Sequence, residues 1–186
     1  MSFGLPKRNT RIENAIVDAE NAGIILFAAA SNYGDDKYRS FPASDSKVIC
    51  VHVTDGEGVP DGMNPSPLDH RDNFSTLGAG TESNWKGKRV FLAGTSFAAP
   101  VAVGIAANTL AFVKGQLIDG RLNESDGRVA HTCDGMRKIF LGMSQPRNGY
   151  DYVVPWHWDW FAEAASVDGF CHELRKTLRQ VGSPMR

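Results

Sequence analysis

With 186 residues the chain is long enough for one domain with a core of its own. Its 20 Lys and Arg against 21 Asp and Glu leave a net charge of −1, which offers no basic surface for nucleic acid or for an anionic membrane. The three cysteines (Cys50, Cys133 and Cys171) are odd in number and lack metal-ligand spacing, so they read as buried free thiols of a reducing compartment; no leader with a basic start and an apolar run is visible, and the expected location is cytoplasmic.

In chain order, Thr10-Arg11-Ile12-Glu13 has the capping-box form, and Ile12, Ala15, Ile16 and Ala19 then fall on one face of a helix that Gly23 stops. Ile24 to Ala30 is continuously apolar, as a parallel strand covered on both faces must be, and Val48 to Val53 reads as another strand. A helix between strands is the pattern of a crossover in an α/β sheet. Asp55 to Asp72, rich in Gly, Pro, Asn and Asp, reads as a loop, and Arg89 to Ala93 as a short extended segment. From Phe97 to Val113 only Asn108 and Thr109 are polar, so the helix predicted there has no solvated face and belongs in the middle of the protein. Pro100 fits only the first turn of a helix, which places the start at Thr95 or Ser96. Gly115 to Gly127 reads as a polar loop and Cys133 to Met143 as a helix; Val167 to Val181 is amphipathic through Phe170, Leu174, Leu178 and Val181. Pro155-Trp156-His157-Trp158-Asp159-Trp160 serves either as an aromatic recognition surface or, the favoured reading, as packing for a terminal segment.

A hydroxyl at Ser96 would lie in the positive end of the helix dipole, beside backbone N–H groups without helical partners, and Gly94 has no side chain to keep a substrate backbone away. Taken alone, Ser96 could equally be a capping serine. The stretch Gly94-Thr95-Ser96-Phe97-Ala98-Ala99-Pro100 resembles the nucleophile motif of the subtilisin-like serine peptidases, with Gly94, Thr95, Ser96, Ala98 and Pro100 all matching. Ile24 to Gly34 resembles the strand that ends in that family's oxyanion-hole asparagine, here Asn32, and Ser2-Phe3-Gly4 resembles the strand end that pairs with substrate backbone. Phe74-Ser75-Thr76-Leu77-Gly78 is similar to a further family segment, although the usual Ala-Pro-Gly beyond it is absent. A weaker likeness continues from Gly135-Met136 to Pro155-Trp156.

The resemblance implies an α/β, three-layer parallel-sheet fold, incomplete at the N-terminus, with a buried central helix carrying the nucleophile. Residues 1–113 would be the C-terminal half of the peptidase domain, and 114–186 a helical extension packed on it. It implies peptide-bond hydrolysis through an acyl-serine, with Ser96 as nucleophile, Asn32 and the Ser96 amide as oxyanion donors, and Ser2, Phe3, Gly4, Ala30, Ser31, Gly94 and Thr95 around the substrate. Ser31 stands where most relatives have glycine, a departure that narrows the primary specificity pocket. In the family the aspartate and histidine precede the Ser-x-Gly strand, so a chain opening at Met1-Ser2-Phe3-Gly4 lacks both, and the isolated chain is expected to be nearly inert. No histidine precedes Asn32. Asp69-His70-Arg71-Asp72 offers a superficial dyad in a surface loop, His52 reads as a half-buried strand residue, and His131, His157 and His172 have no motif around them. The expected partners are a peptide or protein substrate and the absent N-terminal part of the domain, with no nucleic acid and no membrane. No cofactor is expected: calcium is known in relatives, but Asp35-Asp36 and Asp69 to Asp72 lack ligand-loop spacing. The alternatives are a non-catalytic homologue that binds peptides and a piece with no stable fold.

Overall fold

A computed structural model describes residues 1–34, 38–155 and 166–181. Helix α1 (Thr10–Asn21) is capped by Asn9, whose Oδ1 accepts from the N–H groups of Arg11 and Ile12. The cap is thus one residue before the expected Thr10, because Asn9 holds the extended backbone that a capping side chain requires. Ile12 and Ile16 turn inward, whereas Ala15 stays exposed.

Strands β1 (Leu26–Ala29), β2 (Val48–Thr54) and β3 (Phe74–Leu77) run parallel, and β7 (Tyr150–Val153) continues the sheet parallel to β3. Strand β6 (Ser144–Arg147) closes the edge antiparallel to β7, giving the order β1-β2-β3-β7-β6 among the described residues. The unbroken apolar runs of β1 and β2 follow from cover on both faces. Phe27, Ala29, Ile49, Val51 and Val53 enter the main core, while Ala28, Ala30, Val48 and Cys50 enter a smaller one with Ile16, Phe41 and Ala43. The Met1 amino group donates to the Phe27 carbonyl and the Ala29 N–H to the Met1 carbonyl, so the chain start runs beside β1 in the pattern of parallel neighbours, with α1 as the crossover between them. The connection from β1 to β2 contains no helix among its described residues.

Helix α2 (Thr95–Ile118) presents Ala98, Ala99, Ala102, Ala106 and Val113 to the sheet. Its other side is open: Val101 is 39% and Val103 45% exposed, and Pro100, Gly104, Ala107 and Ala111 are exposed beside them. The expectation of a helix buried all round is therefore corrected. Small residues let the strands approach on one side, but no described element covers the other. The expected loop from Gly115 to Gly127 is also corrected, since α2 continues to Ile118 and α3 (Glu124–Ala130) follows. An Asn123–Asp126 capping box starts α3, with Asn123 Oδ1 2.9 Å from the Asp126 N–H and Asp126 Oδ2 3.1 Å from the Asn123 N–H.

Strands β4 (Thr81–Trp85) and β5 (Lys88–Leu92) form a hairpin ahead of α2, turning at Lys86-Gly87 with φ of 52° and 76°. Helices α4 (Cys133–Gly142) and α5 (Val167–Leu178) place Met136, Ile139, Phe140, Leu174 and Leu178 in the same core as β1 to β3. Phe140 packs edge-on to Phe74 at 5.4 Å and tilted to Phe27 at 5.7 Å. Cys50 and Cys171 are buried free thiols as expected, whereas Cys133 is partly exposed. His52 is fully rather than half buried. The stretch from Trp156 to Trp160 lies outside the described residues. Buried charge locks the loops beneath the sheet: Arg137 Nε lies 3.3 Å from Asp72 Oδ2, and its Nη2 donates to the carbonyls of Ser46 at 2.7 Å and Val48 at 3.0 Å.

Candidate active site

Three distant segments meet at the start of α2: residues 2–4, residues 31–33 just past the end of β1, and Gly94 to Ser96. Pro100 has no N–H, so the Ser96 carbonyl lacks its helical donor. Ser2 Oγ donates to that carbonyl at 3.2 Å, and Ser96 Oγ donates in turn to the Ser2 carbonyl at 3.4 Å. The strand end thus compensates the helix for the missing bond and holds the serine hydroxyl beside it.

Asn32 is fixed from the other side. Its Oδ1 accepts from both the N–H and the hydroxyl of Thr95, each at 2.9 Å, and Thr95 itself is 1% exposed. With the oxygen consumed, Nδ2 is the free donating end of the amide, and among the described residues neither Nδ2 nor the Ser96 N–H has an acceptor. A Cβ at Gly94 would come 3.1 Å from Nδ2, so glycine there lets the amide lie against the backbone ahead of the helix. Two donors and a hydroxyl at one helix N-terminus are suited to stabilising negative charge that develops on a carbonyl oxygen.

A cavity of about 180 Å³ opens beside these groups and is lined by Ser2, Phe3, Gly4, Ser31, Asn32, Thr95 and Ser96, with Ala29, Tyr33 and Ser40. Ser31 Oγ is buried and has no partner. Ala30 is different: its side chain is fully buried, its N–H donates to Val51 and its carbonyl accepts from Ser40, so it offers a substrate no surface. Ser40 and Tyr33 were not singled out from sequence, since nothing local marks a loop residue that tertiary contact brings to Ser96.

No described histidine is hydrogen-bonded to Ser96. His52, on β2, is fully buried with Nδ1 2.9 Å from the Phe74 carbonyl of β3, and burial together with the Arg39 guanidinium lowers its pKa to about 3. His70 lies in the wall of a separate, larger cavity of about 720 Å³; its neighbour Asp72 is committed to Arg137. His131 Nδ1 bonds the Gly127 carbonyl within its own helical turn, and His172 is exposed on α5. His157 lies outside the described residues. No cluster of His, Cys, Asp or Glu able to hold a metal occurs among the described residues.

No protein-family model matches the chain. It is 32% identical over 150 residues to the subtilisin-like protease het-Q2 of Podospora anserina, an alignment that covers 75% of this chain and 41% of that protein. It is 35% identical over 108 residues to the thermostable alkaline protease of Halalkalibacterium halodurans, covering 58% of this chain and 29% of the other. The chain belongs with the subtilisin-like proteases. This subtilisin-like chain spans less than half the length of either relative. Its fold is that of the self-cleaved protease domain of PatA, with a TM-score of 0.64 at 21% identity over 95% of this chain and 61% of that one. The maturation protease PagA is similar too, with a TM-score of 0.58 at 24% identity over 76% of this chain and 48% of the other. The α/β architecture with a mostly parallel central sheet is therefore the subtilisin-like one.

Proposed function

We propose that the chain supplies the nucleophile and the oxyanion donors of a serine endopeptidase site, whose base and orienting carboxylate come from residues outside this sequence. The observation that carries the reading is the tie between Asn32 and Thr95, which aims a free amide donor at the helix start where Ser96 lies. In the reaction Ser96 Oγ bonds to the scissile carbonyl carbon, its proton passes to the external base, and the oxyanion is held by Asn32 Nδ2 and the Ser96 N–H. The leaving amine takes that proton, and water then hydrolyses the acyl-serine. In subtilisin itself, losing the oxyanion asparagine costs about 100- to 1,000-fold in turnover, and losing the triad on the order of a millionfold. The chain alone is accordingly expected to be almost inert.

The uncovered apolar side of α2 at Val101 and Val103, and the outer edge of β1, which among the described residues is hydrogen-bonded only by Met1, form the surface on which a complementing segment would pack. The experiment is labelling with a fluorophosphonate probe, with and without a polypeptide bearing the upstream half of a subtilisin-like domain. Ser96-dependent labelling is expected only with the complement, and lost in Ser96→Ala and in Val101→Asp/Val103→Asp. Labelling that persists in Ser96→Ala sinks the assignment of the nucleophile.

A second reading, a non-catalytic homologue that binds peptides, is favoured by one observation: the only described bond of Ser96 Oγ runs to the Ser2 carbonyl and not to a base. A solved relative in fold, with a TM-score of 0.58, is the PatG macrocyclase in complex with peptide. That reading requires peptide affinity unchanged in Ser96→Ala and no labelling under any complementation.

A further inference from the structure

We propose that the larger cavity, beside His70, is a second ligand site, and that Asp151 in its wall takes an ammonium or guanidinium group carried on a hydrocarbon stem. The site lies apart from Ser96 and would stand whatever the serine does. Asn32 meets the start of α2 just past the carboxyl end of β1, whereas Asn73 and Asp151 stand at the opposite, amino ends of β3 and β7. The cavity is bounded by the loop from Pro67 to Asn73 and by the last turns of α4 and α5, at Leu141 and Thr177. At about 720 Å³ it falls within the size range of small-molecule sites.

Strand alternation sets Asp151 there. Tyr150 packs on His52 and Tyr152 shares its face of β7, so Asp151 points to the other face, toward the helices. Its partners in register, Phe74 and Pro146, bring no charge. Asp151 Oδ2 accepts from the Asn73 N–H at 2.8 Å, which fixes the carboxylate. Among the described residues Oδ1 has no donor and no cation forms an ion pair with either oxygen. His70, Arg71 and Lys138 also line the cavity, yet the charges that act on Asp151 are those of Asp72 and Arg39. Both are engaged elsewhere: Arg39 Nη2 donates to the Asp72 carbonyl at 2.8 Å and to Asn73 Oδ1 at 2.5 Å, and the Asp72 carboxylate pairs with Arg137. Burial raises the Asp151 carboxyl above its ordinary range, against the Asn73 bond, and Asp72 adds to the rise. A carboxylate held partly out of water gains more from an incoming cation than an exposed one does. Asp69, exposed in the same lining, favours the same charge, and Pro67, Leu68 and Leu141 offer hydrocarbon along which a lysine-like stem can lie.

A free alkylamine and a lysine side chain present the same group, so both serve as probes. The test is an NMR titration of the intact chain, followed at the Asn73 and Asp151 amides, with n-butylamine, N-acetyl-lysine methylamide and the norleucine analogue, which keeps the stem and lacks the charge. The lysine compound should bind about tenfold more tightly than the norleucine compound. Butylamine bound as tightly as the lysine compound assigns the site to free amines, and weaker butylamine assigns it to a side chain presented by a peptide. In Asp151→Asn, whose amide oxygen still accepts from Asn73, the lysine preference should fall to within about twofold. Equal binding of the lysine and norleucine compounds to the wild type overturns the recognition of charge. A preference undiminished in Asp151→Asn overturns the assignment to that carboxylate. Shifts confined to the Thr95 and Ser96 amides, or no shifts at all, overturn the site itself. The wild-type comparison decides the matter even if the variant fails to fold.

Discussion

Replacing His52 with asparagine should make the chain markedly less sensitive to acid. His52 has no exposed surface, and its Nδ1 faces the Phe74 carbonyl at 2.9 Å. A carbonyl only accepts, so Nδ1 carries the proton, and Nε2 presents a lone pair that no group meets. The Tyr150 ring packs against it at 5.0 Å. Burial first, and the Arg39 charge second, push the imidazole from its ordinary 6.5 down to about 3, partly opposed by the Phe74 bond. The unfolded chain titrates this histidine near its ordinary value, so between the two pKa values the unfolded state binds the extra proton and stability falls as pH falls. The slope is about 1.4 kcal/mol per pH unit, which amounts to about 2 kcal/mol between pH ~7.5 and ~5, and about 5 kcal/mol over the whole window. The asparagine amide can still donate to the Phe74 carbonyl but does not titrate. Urea unfolding of both proteins at the two pH values isolates the effect, since the carboxylates contribute equally to each. The wild type should lose about 2 kcal/mol more than the variant; parallel losses would refute the buried, neutral histidine.

Other perturbations have equally direct outcomes. Asn32→Ala strands the buried Thr95 N–H and hydroxyl and should lower stability by about 1–3 kcal/mol, read as a lower urea midpoint; an unchanged midpoint would mean that the tie does not hold the site together. Asp72→Asn removes the buried partner of Arg137, leaving it only the exposed Asp134 carboxylate at 3.4 Å, and should cost about 3 kcal/mol, whereas the exposed neighbour change Arg71→Ala should stay within about 0.5 kcal/mol in the same assay. Gly78→Ala would place a Cβ 2.7 Å from the Ala98 nitrogen, forcing α2 off β3; a loss of about 1–3 kcal/mol in thermal unfolding is expected, and none would show that the contact is slack.

The sequence by itself determined the elements whose residues carry their own signal. The apolar runs of β1 and β2 could only be strands covered on both faces, Pro100 placed the start of α2, and the family likeness marked Ser96 and Asn32. The hairpin of β4 and β5 was not legible, because Thr81–Trp85 is mostly polar and faces solvent, so no alternation betrays it. The short strands β6 and β7 were hidden for a related reason: β6 contains Gln145, Pro146 and Arg147 and exists as a strand only because β7 pairs with it. The openness of α2 could not be read either, since an apolar side looks the same in sequence whether or not anything covers it. Tertiary structure alone decided the site. It brought Asn32 to Thr95 across 63 residues and Ser2 to Ser96 across 94, and it set Ser40 beneath Gly4. Hydrogen bonds between segments so far apart leave no local pattern, because the partner of each polar group is chosen by how the strand ends and the helix converge rather than by its neighbours in the chain.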